Sequence, residues 1–95
     1  MKTLHPSTQY KKDFKRYLNS PKKLEKLRTI LSLLEKEETI PEENKPHILS
    51  GDYAGHMECH IEGDFLLIWF DPTTNQIDLV RLGSHSELFG KGKKK

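Results

Sequence analysis

The sequence predicts an α+β domain in which a helical hairpin packs on a small antiparallel β-sheet and the chain closes with a short helical turn. Three observations carry this reading. Apolar residues recur at helical spacing in the first third of the chain, alternate with polar ones from about Tyr53 to Glu62, and run almost unbroken from Phe65 to Phe70. The 95 residues make a single domain, 1–95, with room for one layered core and none for a second lobe, so any site must be a shallow surface of that domain.

The elements follow in order. Lys2 to His5 reads as a short edge strand stopped by Pro6. Pro6 and Ser7 open a helix in which Tyr10, Phe14, Tyr17 and Leu18 recur at helical spacing to about Asn19. Ser20 as N-cap and Pro21 as first helical residue restart the chain, and Leu24, Leu27, Ile30, Leu31 and Leu34 trace an apolar stripe to about Glu37. Thr39 to Lys45 reads as a loop, its acidic run bounded by Pro41 and Pro46. His47 to Leu49 is a short extended piece before a turn at Ser50-Gly51-Asp52. Alternation then sends Met57, Cys59 and Ile61 to one face and Glu58, His60 and Glu62 to the other. Glu62-Gly63-Asp64 is a hairpin turn, and the apolar run Phe65 to Phe70 marks a central strand covered on both faces. Asp71 to Asn75 turns the chain into a third strand, Ile77 to Leu82, and Gly83 and Ser84 open the closing turn through Leu88 and Phe89.

Hydrophobic content is low at 34% and charge high at 32%, but the apolar residues cluster in periodic runs, so the chain is expected to fold. The single cysteine, Cys59, excludes an internal disulfide and a Cys-rich zinc site. No apolar run reaches the length of a signal sequence or membrane span, so the expected location is cytoplasmic with no membrane partner. The net charge of +2 is unevenly spread. Lys11, Lys12, Lys15, Arg16, Lys22, Lys23 and Lys26 crowd the helical hairpin, acids follow from Glu35 to Glu43, and residues 91–95 are expected to be a flexible basic tail. Segregated positive charge suits a polyanion, because each phosphate contact releases counterions.

Four of the five histidines lie between His47 and Phe89, and three chemistries compete for them. His47, His56, His60 and His85 are the residues a metal would take, with His56 and His60 at i, i+4. On a strand, however, those two stand about 13 Å apart, so no metal site and no cofactor are expected. Cys59 as a nucleophile is disfavoured because alternation places it opposite His60 among apolar residues, where it reads as a small buried hydrophobe. Metal-free RNA cleavage needs a base for the 2′-hydroxyl proton, a donor for the phosphate charge and an acid for the departing 5′-oxygen. His47, His60 and His85 with Arg81 and Asp64 supply all three. Taken singly, each has a plain reading: a solvated histidine, a turn aspartate, and in Phe89 a core anchor. Their combination favours chemistry.

The same residues carry a resemblance. His47, the run His60-Ile61-Glu62-Gly63-Asp64, the strand Leu66-Leu67-Ile68-Trp69, and the closing Arg81-Leu82-Gly83-Ser84-His85-Ser86-Glu87-Leu88-Phe89 together resemble the YafQ branch of the RelE/ParE-like bacterial toxins, and the likeness extends less specifically over the first two helices. The resemblance implies a RelE-like fold and the toxin half of a type II toxin–antitoxin module. It implies an endoribonuclease that cleaves mRNA in the ribosomal A site and is silenced by a cognate antitoxin, with operator DNA reached only through the antitoxin complex. Carried over by position, His47, His60, Asp64 and His85 become catalytic, and Arg81 and Phe89 bind substrate or phosphate. Glu58 takes a secondary role there, as does Phe65, which stands where the family can have tryptophan. The basic hairpin becomes the surface for the ribosome. The alternative on the same fold is a non-catalytic ParE-like or RNA-binding interaction module.

Overall fold

A computed structural model describes residues 1–90, and the lysine-rich tail at 91–95 lies outside the described residues. The order of elements is β1 (Thr3–Pro6), α1 (Thr8–Lys15), α2 (Pro21–Glu35), β2 (His47–Ile48), β3 (Met57–Glu62), β4 (Phe65–Phe70), β5 (Gln76–Gly83) and α3 (His85–Phe89), with 3-10 turns at Glu42–Asn44 and Gly51–Tyr53. Ser7 caps α1 by accepting the Tyr10 N–H, and Pro21 opens α2 where its missing N–H costs nothing. The first helix stops at Lys15, short of Asn19, because the next N–H groups tighten to i, i+3 bonds: Arg16 donates to the Asp13 carbonyl and Tyr17 to that of Phe14. No helix among the described residues is long and apolar enough to cross a membrane.

The strands form one sheet in the order β1-β5-β4-β3-β2. β2, β3, β4 and β5 pair antiparallel, but β1 pairs parallel with β5, Thr3 opposite Gln76 and Pro6 opposite Leu79. The sheet is therefore mixed rather than wholly antiparallel. Hairpin turns dictate the direction of the last three strands; β1 reaches β5 only after the whole chain has intervened, and no turn constrains it.

β4 separates two apolar clusters. Phe65, Leu67 and Trp69 join Cys59, Ile61, Ile77, Leu79 and Leu82 under Tyr10, Leu27, Ile30 and Leu34 of the helices. Leu66 and Ile68 point the other way, to Leu49 and Leu88, with Tyr53, Val80 and Phe89 around them. A strand buried on both faces needs a continuous apolar run, as its sequence has. Cys59 is fully buried on the helix side, and desolvation, reinforced by the Glu58 charge, pushes its thiol up to about 12. It is packing, not a nucleophile. One expected placement changes. The β3–β4 register shifts between His60 and Glu62, so that His60 faces Leu66 while Glu62 faces Phe65. This bulge turns Glu62 from the His60 face to the helix face, where it meets Lys23 at 3.4 Å and Lys26 at 3.0 Å.

With Glu58, Asp13 is one of two fully buried carboxylates among the described residues. Its carboxylate accepts from Arg81 Nε at 2.8 Å, Arg81 Nη2 at 3.3 Å, the Leu82 backbone N–H at 3.0 Å and Gln9 Nε2 at 3.2 Å. Desolvation alone would raise its pKa, but the hydrogen bonds from Arg81, Leu82 and Gln9 and the Arg81 charge together hold it below the usual carboxylate range. A carboxyl depressed in the folded state contributes stability that is present above its unfolded value, about 3.9, and is lost as pH falls through the folded one. Asp13→Ala orphans a guanidinium and a buried N–H, and is expected to cost about 3–5 kcal/mol in urea unfolding at neutral pH, a loss that narrows in acid. An unchanged unfolding midpoint would show that the pair does not hold the domain together.

Candidate active site

Residues directly opposite each other on antiparallel strands share a sheet face, and two such rows build the site. His47 on β2 stands opposite Glu58 on β3, Glu58 opposite Ile68, and Ile68 opposite Arg81; in the next row His60 faces Leu66 and Leu66 faces Gly83. Both rows lie on the face away from α1 and α2. After β5 the chain folds back over this face as α3, pinned by buried Leu88. The His60 and His85 rings are 5.6 Å apart between centroids, His47 and His60 6.5 Å, and His85 and Phe89, one helical turn apart, 6.1 Å. His56 stands elsewhere. Its ring lies 5.1 Å from Phe70, at the opposite end of β4, and 5.9 Å from Tyr53.

Asp64, in the β3–β4 turn, holds His85 twice with one oxygen, accepting the backbone N–H at 3.0 Å and contacting ring Nδ1 at 2.5 Å. These two bonds, backbone first, keep the Asp64 carboxyl below its usual range and hence ionised at neutral pH. A carboxylate can only accept, so the proton on His85 Nδ1 is fixed and proton exchange with a substrate falls to Nε2. The turn that carries His85 is itself braced. Ser84 Oγ accepts the Glu87 N–H at 3.2 Å, and Glu87 Oε1 accepts the Ser84 N–H at 2.9 Å and the Tyr17 hydroxyl at 2.7 Å. Gly83 makes room for this box: at φ +154 a Cβ there would sit 2.6 Å from Glu87 Oε1.

His47 is occupied at both ring nitrogens. Nδ1 donates to the Lys45 carbonyl at 2.8 Å, and Nε2 lies 3.1 Å from Oε1 of Glu58, which is fully buried. This contact gives Oε1 of the buried carboxylate a polar partner. His60 sits between this pair and His85. Burial lowers its pKa first; the Glu58 charge and a backbone hydrogen bond to Gly63 oppose that, and His85 and Lys45 add to it, leaving the ring below its ordinary value and neutral at pH 7. Glu58, His60 and His85 each offer one ligand atom, all within 4.8 Å of one another. That mixed imidazole and carboxylate set suits zinc or copper. It differs from the sequence-level ligand candidates, because cross-strand packing brings Glu58 in and leaves His47 and His56 out.

Of the remaining expected residues, Arg81 reaches the site face with its Nη1 3.3 Å from the Tyr53 hydroxyl, while Nε and Nη2 are held by Asp13. Phe89 packs edge-on to Tyr53 at 5.7 Å, beside His85. Phe65 is a correction. It shares the parity of Leu67 and Trp69, is only 2% exposed, and packs against Tyr17 at 4.5 Å, so it belongs to the helix-side core and cannot stack on a substrate. On the basic hairpin, Lys11, Lys12, Lys15 and Lys22 are exposed, whereas Lys23 and Lys26 pair with Glu62 and Arg16 lies 3.6 Å from Glu87. Sequence reasoning missed Asp13, Tyr53 and Lys45. For Asp13 a signal existed: it falls within the stripe Tyr10, Asp13, Phe14, Tyr17, an acid where spacing calls for an apolar residue.

A helical hairpin thus covers one face of a mixed five-stranded sheet, and the clustered histidines lie on the other. The family described as "Bacterial toxin of type II toxin-antitoxin system, YafQ" matches residues 2–90. The chain is 34% identical over 85 residues to the mRNA interferase toxin YafQ of Escherichia coli strain K12, covering 88% of this chain and 91% of that one. A copper-bound mutant toxin from Helicobacter pylori superposes with a TM-score of 0.85 at 32% identity, over 94% of this chain and 100% of that one. A chain of the Escherichia coli DinJ-YafQ complex does so with a TM-score of 0.83 at 28% identity, over 95% and 100%. The chain belongs to the YafQ family of type II toxin–antitoxin toxins.

The Asp64 contact makes a prediction that needs no substrate. Nitrogen NMR of the protein should show His85 protonated at Nδ1 throughout the titration of its ring, and Asp64→Asn should release that preference. An Nδ1 that loses its proton first in the wild type would remove Asp64 as the orienting group.

Proposed function

We propose that this chain is an mRNA-cleaving endoribonuclease that acts in the ribosomal A site, in the cytoplasm, and is neutralised by a cognate antitoxin through which alone it meets operator DNA. The observation that supports this best is the meeting of His60, His85 and Asp64 on one accessible face. In the proposed reaction the neutral His60 imidazole takes the 2′-hydroxyl proton of the ribose and the 2′-oxygen attacks phosphorus. The bond to the 5′-oxygen breaks, and His85 Nε2 gives that oxygen its proton. The products are a 2′,3′-cyclic phosphate and a 5′-hydroxyl end. Rings 5.6 Å apart can serve both oxygens, since the attacking and leaving atoms flank a single phosphorus.

The other site residues take supporting roles. With both its nitrogens engaged, His47 holds Glu58 rather than exchanging protons with substrate, and the Glu58 carboxylate stabilises the imidazolium that forms at His60. The Arg81 N–H groups not taken by Asp13 and Tyr53 donate to the phosphate, and Phe89 walls the base beside His85. Every proton and charge in this scheme is handled by a side chain, so no step calls for a metal. A copper or zinc ion on Glu58, His60 and His85 would occupy the groups that must trade protons, and would act as an inhibitor.

His85→Gln tests the proposal. Expressed alone, the wild-type chain should arrest translation and leave new 5′ ends in translated messages. The variant should lose about 10²–10⁴-fold in cleavage rate while its stability changes by less than about 0.5 kcal/mol. Because the His60 pKa lies below its ordinary value, about 6.5, wild-type cleavage should decline only once pH falls below that. A fully toxic variant, or wild-type protein that slows translation without new 5′ ends, would leave the non-catalytic interaction module as the better reading.

The hairpin charges have a separate test. Neutralising Lys11, Lys12, Lys15 and Lys22 together should weaken ribosome association and flatten its salt dependence by about 0.7–0.9 in log–log slope for each phosphate left unneutralised. Cleavage abolished with binding and salt slope intact would overturn the assignment of these residues to the ribosome.

A further inference from the structure

Beside His60 a groove of about 390 Å³ opens between the 3-10 turn at Glu42–Asn44 and the β3–β4 hairpin, lined by Glu43, Asn44, Lys45, His60, Ile61, Glu62 and Gly63. Its wall is built rather than incidental, for Asn44 Nδ2 donates to the His60 carbonyl at 2.8 Å and continues the hydrogen bonding of β3 beyond the end of β2. The cation at its rim is Lys45. Lys45 holds a left-handed backbone conformation, φ 50 and ψ 53, that glycine or asparagine adopts more cheaply, and its carbonyl is the one that fixes His47. The ammonium is close enough to His60 to disfavour its protonated form. The other cations around the site are already countered: Arg81 by Asp13, and Lys23 and Lys26 by Glu62, which removes much of the negative charge of the groove. Glu43 is the remaining carboxylate on the lining, and it is exposed to solvent.

We propose that this groove is a nucleotide subsite of the ribonuclease and that Lys45 grips within it an RNA phosphodiester adjacent to the one being cleaved. The inference rests on the ribonuclease reading and adds a binding residue to it. Lys45 acts by holding the strand so that the 2′-hydroxyl meets His60, and takes no part in proton transfer.

The test uses ribosomes programmed with a short message that carries one uncharged methylphosphonate linkage on either side of the cleaved bond. With the natural message, Lys45→Met should raise the half-saturating toxin concentration about 10-fold, change kcat by less than about threefold, and reduce the salt slope by about one. Lys45→Arg should restore all three. At one of the two positions the neutral linkage should impair the wild type as much as Lys45→Met does, and should impair Lys45→Met no further. A wild type indifferent to both neutral linkages overturns the subsite and points to ribosomal RNA as the phosphate source. A Lys45→Met defect confined to kcat, or one accompanied by a lower melting temperature and not restored by arginine, overturns it as well. Failure of the wild type to cleave any message would instead remove the ribonuclease reading itself.

Discussion

The Asp13 carboxylate is the point on which the rest of this structure hangs. Pro6 ends β1 because it has no N–H and the chain must leave the sheet, yet β5 runs on to Gly83 with one edge uncovered. The N-cap and a side chain of α1 continue the ladder. Ser7 donates its N–H to the Leu79 carbonyl and its hydroxyl to that of Val80, and Asp13 accepts the Leu82 N–H. The same carboxylate then takes two N–H groups of Arg81, a residue of the opposite sheet face. A buried ion pair of this kind is a poor source of net stability, since desolvating both charges offsets much of their attraction. What it specifies is geometry: where α1 docks, where β5 ends, and hence where α3 and His85 begin.

The second organising feature is the double-sided burial of β4. Its helix-facing residues complete the main core, and its other face supports a small apolar patch on which α3 lies. His60 and Gly83 both flank Leu66, so the β3–β4 turn carrying Asp64 and the end of β5 carrying His85 must meet at the same end of the sheet. Candidate site residues distant in sequence are joined by strand register rather than by loops. Register also explains why Phe65 lies next to Asp64 in sequence and yet is excluded from the site.

Much of this was legible in the sequence. Helical spacing of the leucines, the alternation in β3 and the apolar run of β4 located the elements, because each periodicity is imposed by one-sided or two-sided burial. The gathering of His47, His60, Asp64 and His85 was anticipated from residue types and spacing together with the family resemblance. What was not legible depended on pairing. The parallel direction of β1, the bulge that turns Glu62 to Lys23 and Lys26, and the meeting of Glu58 with His47 are properties of two strands at once, which no single stretch encodes. Lys45 has no sequence signal beyond its place two residues before His47. Its conformation and its groove emerge only when the 3-10 turn packs beside β3.

The shape of the site bears on the proposed action on the ribosome. The proposed proton-transfer groups lie on an open sheet face, and among the described residues no lobe closes over it. General acid–base chemistry contributes about 10²–10⁴-fold, whereas holding the reacting atoms in line contributes several orders of magnitude more, and normally requires a cleft or lid. A flexible single-stranded RNA free in solution would meet this face in too many conformations. A message already stretched and immobilised in a decoding site would not, and the toxin would need to add only the proton-transfer groups and a few phosphate contacts. On this argument the open face and the proposed dependence on a large RNA assembly are one property: the assembly would supply the positioning that a single layered domain does not provide.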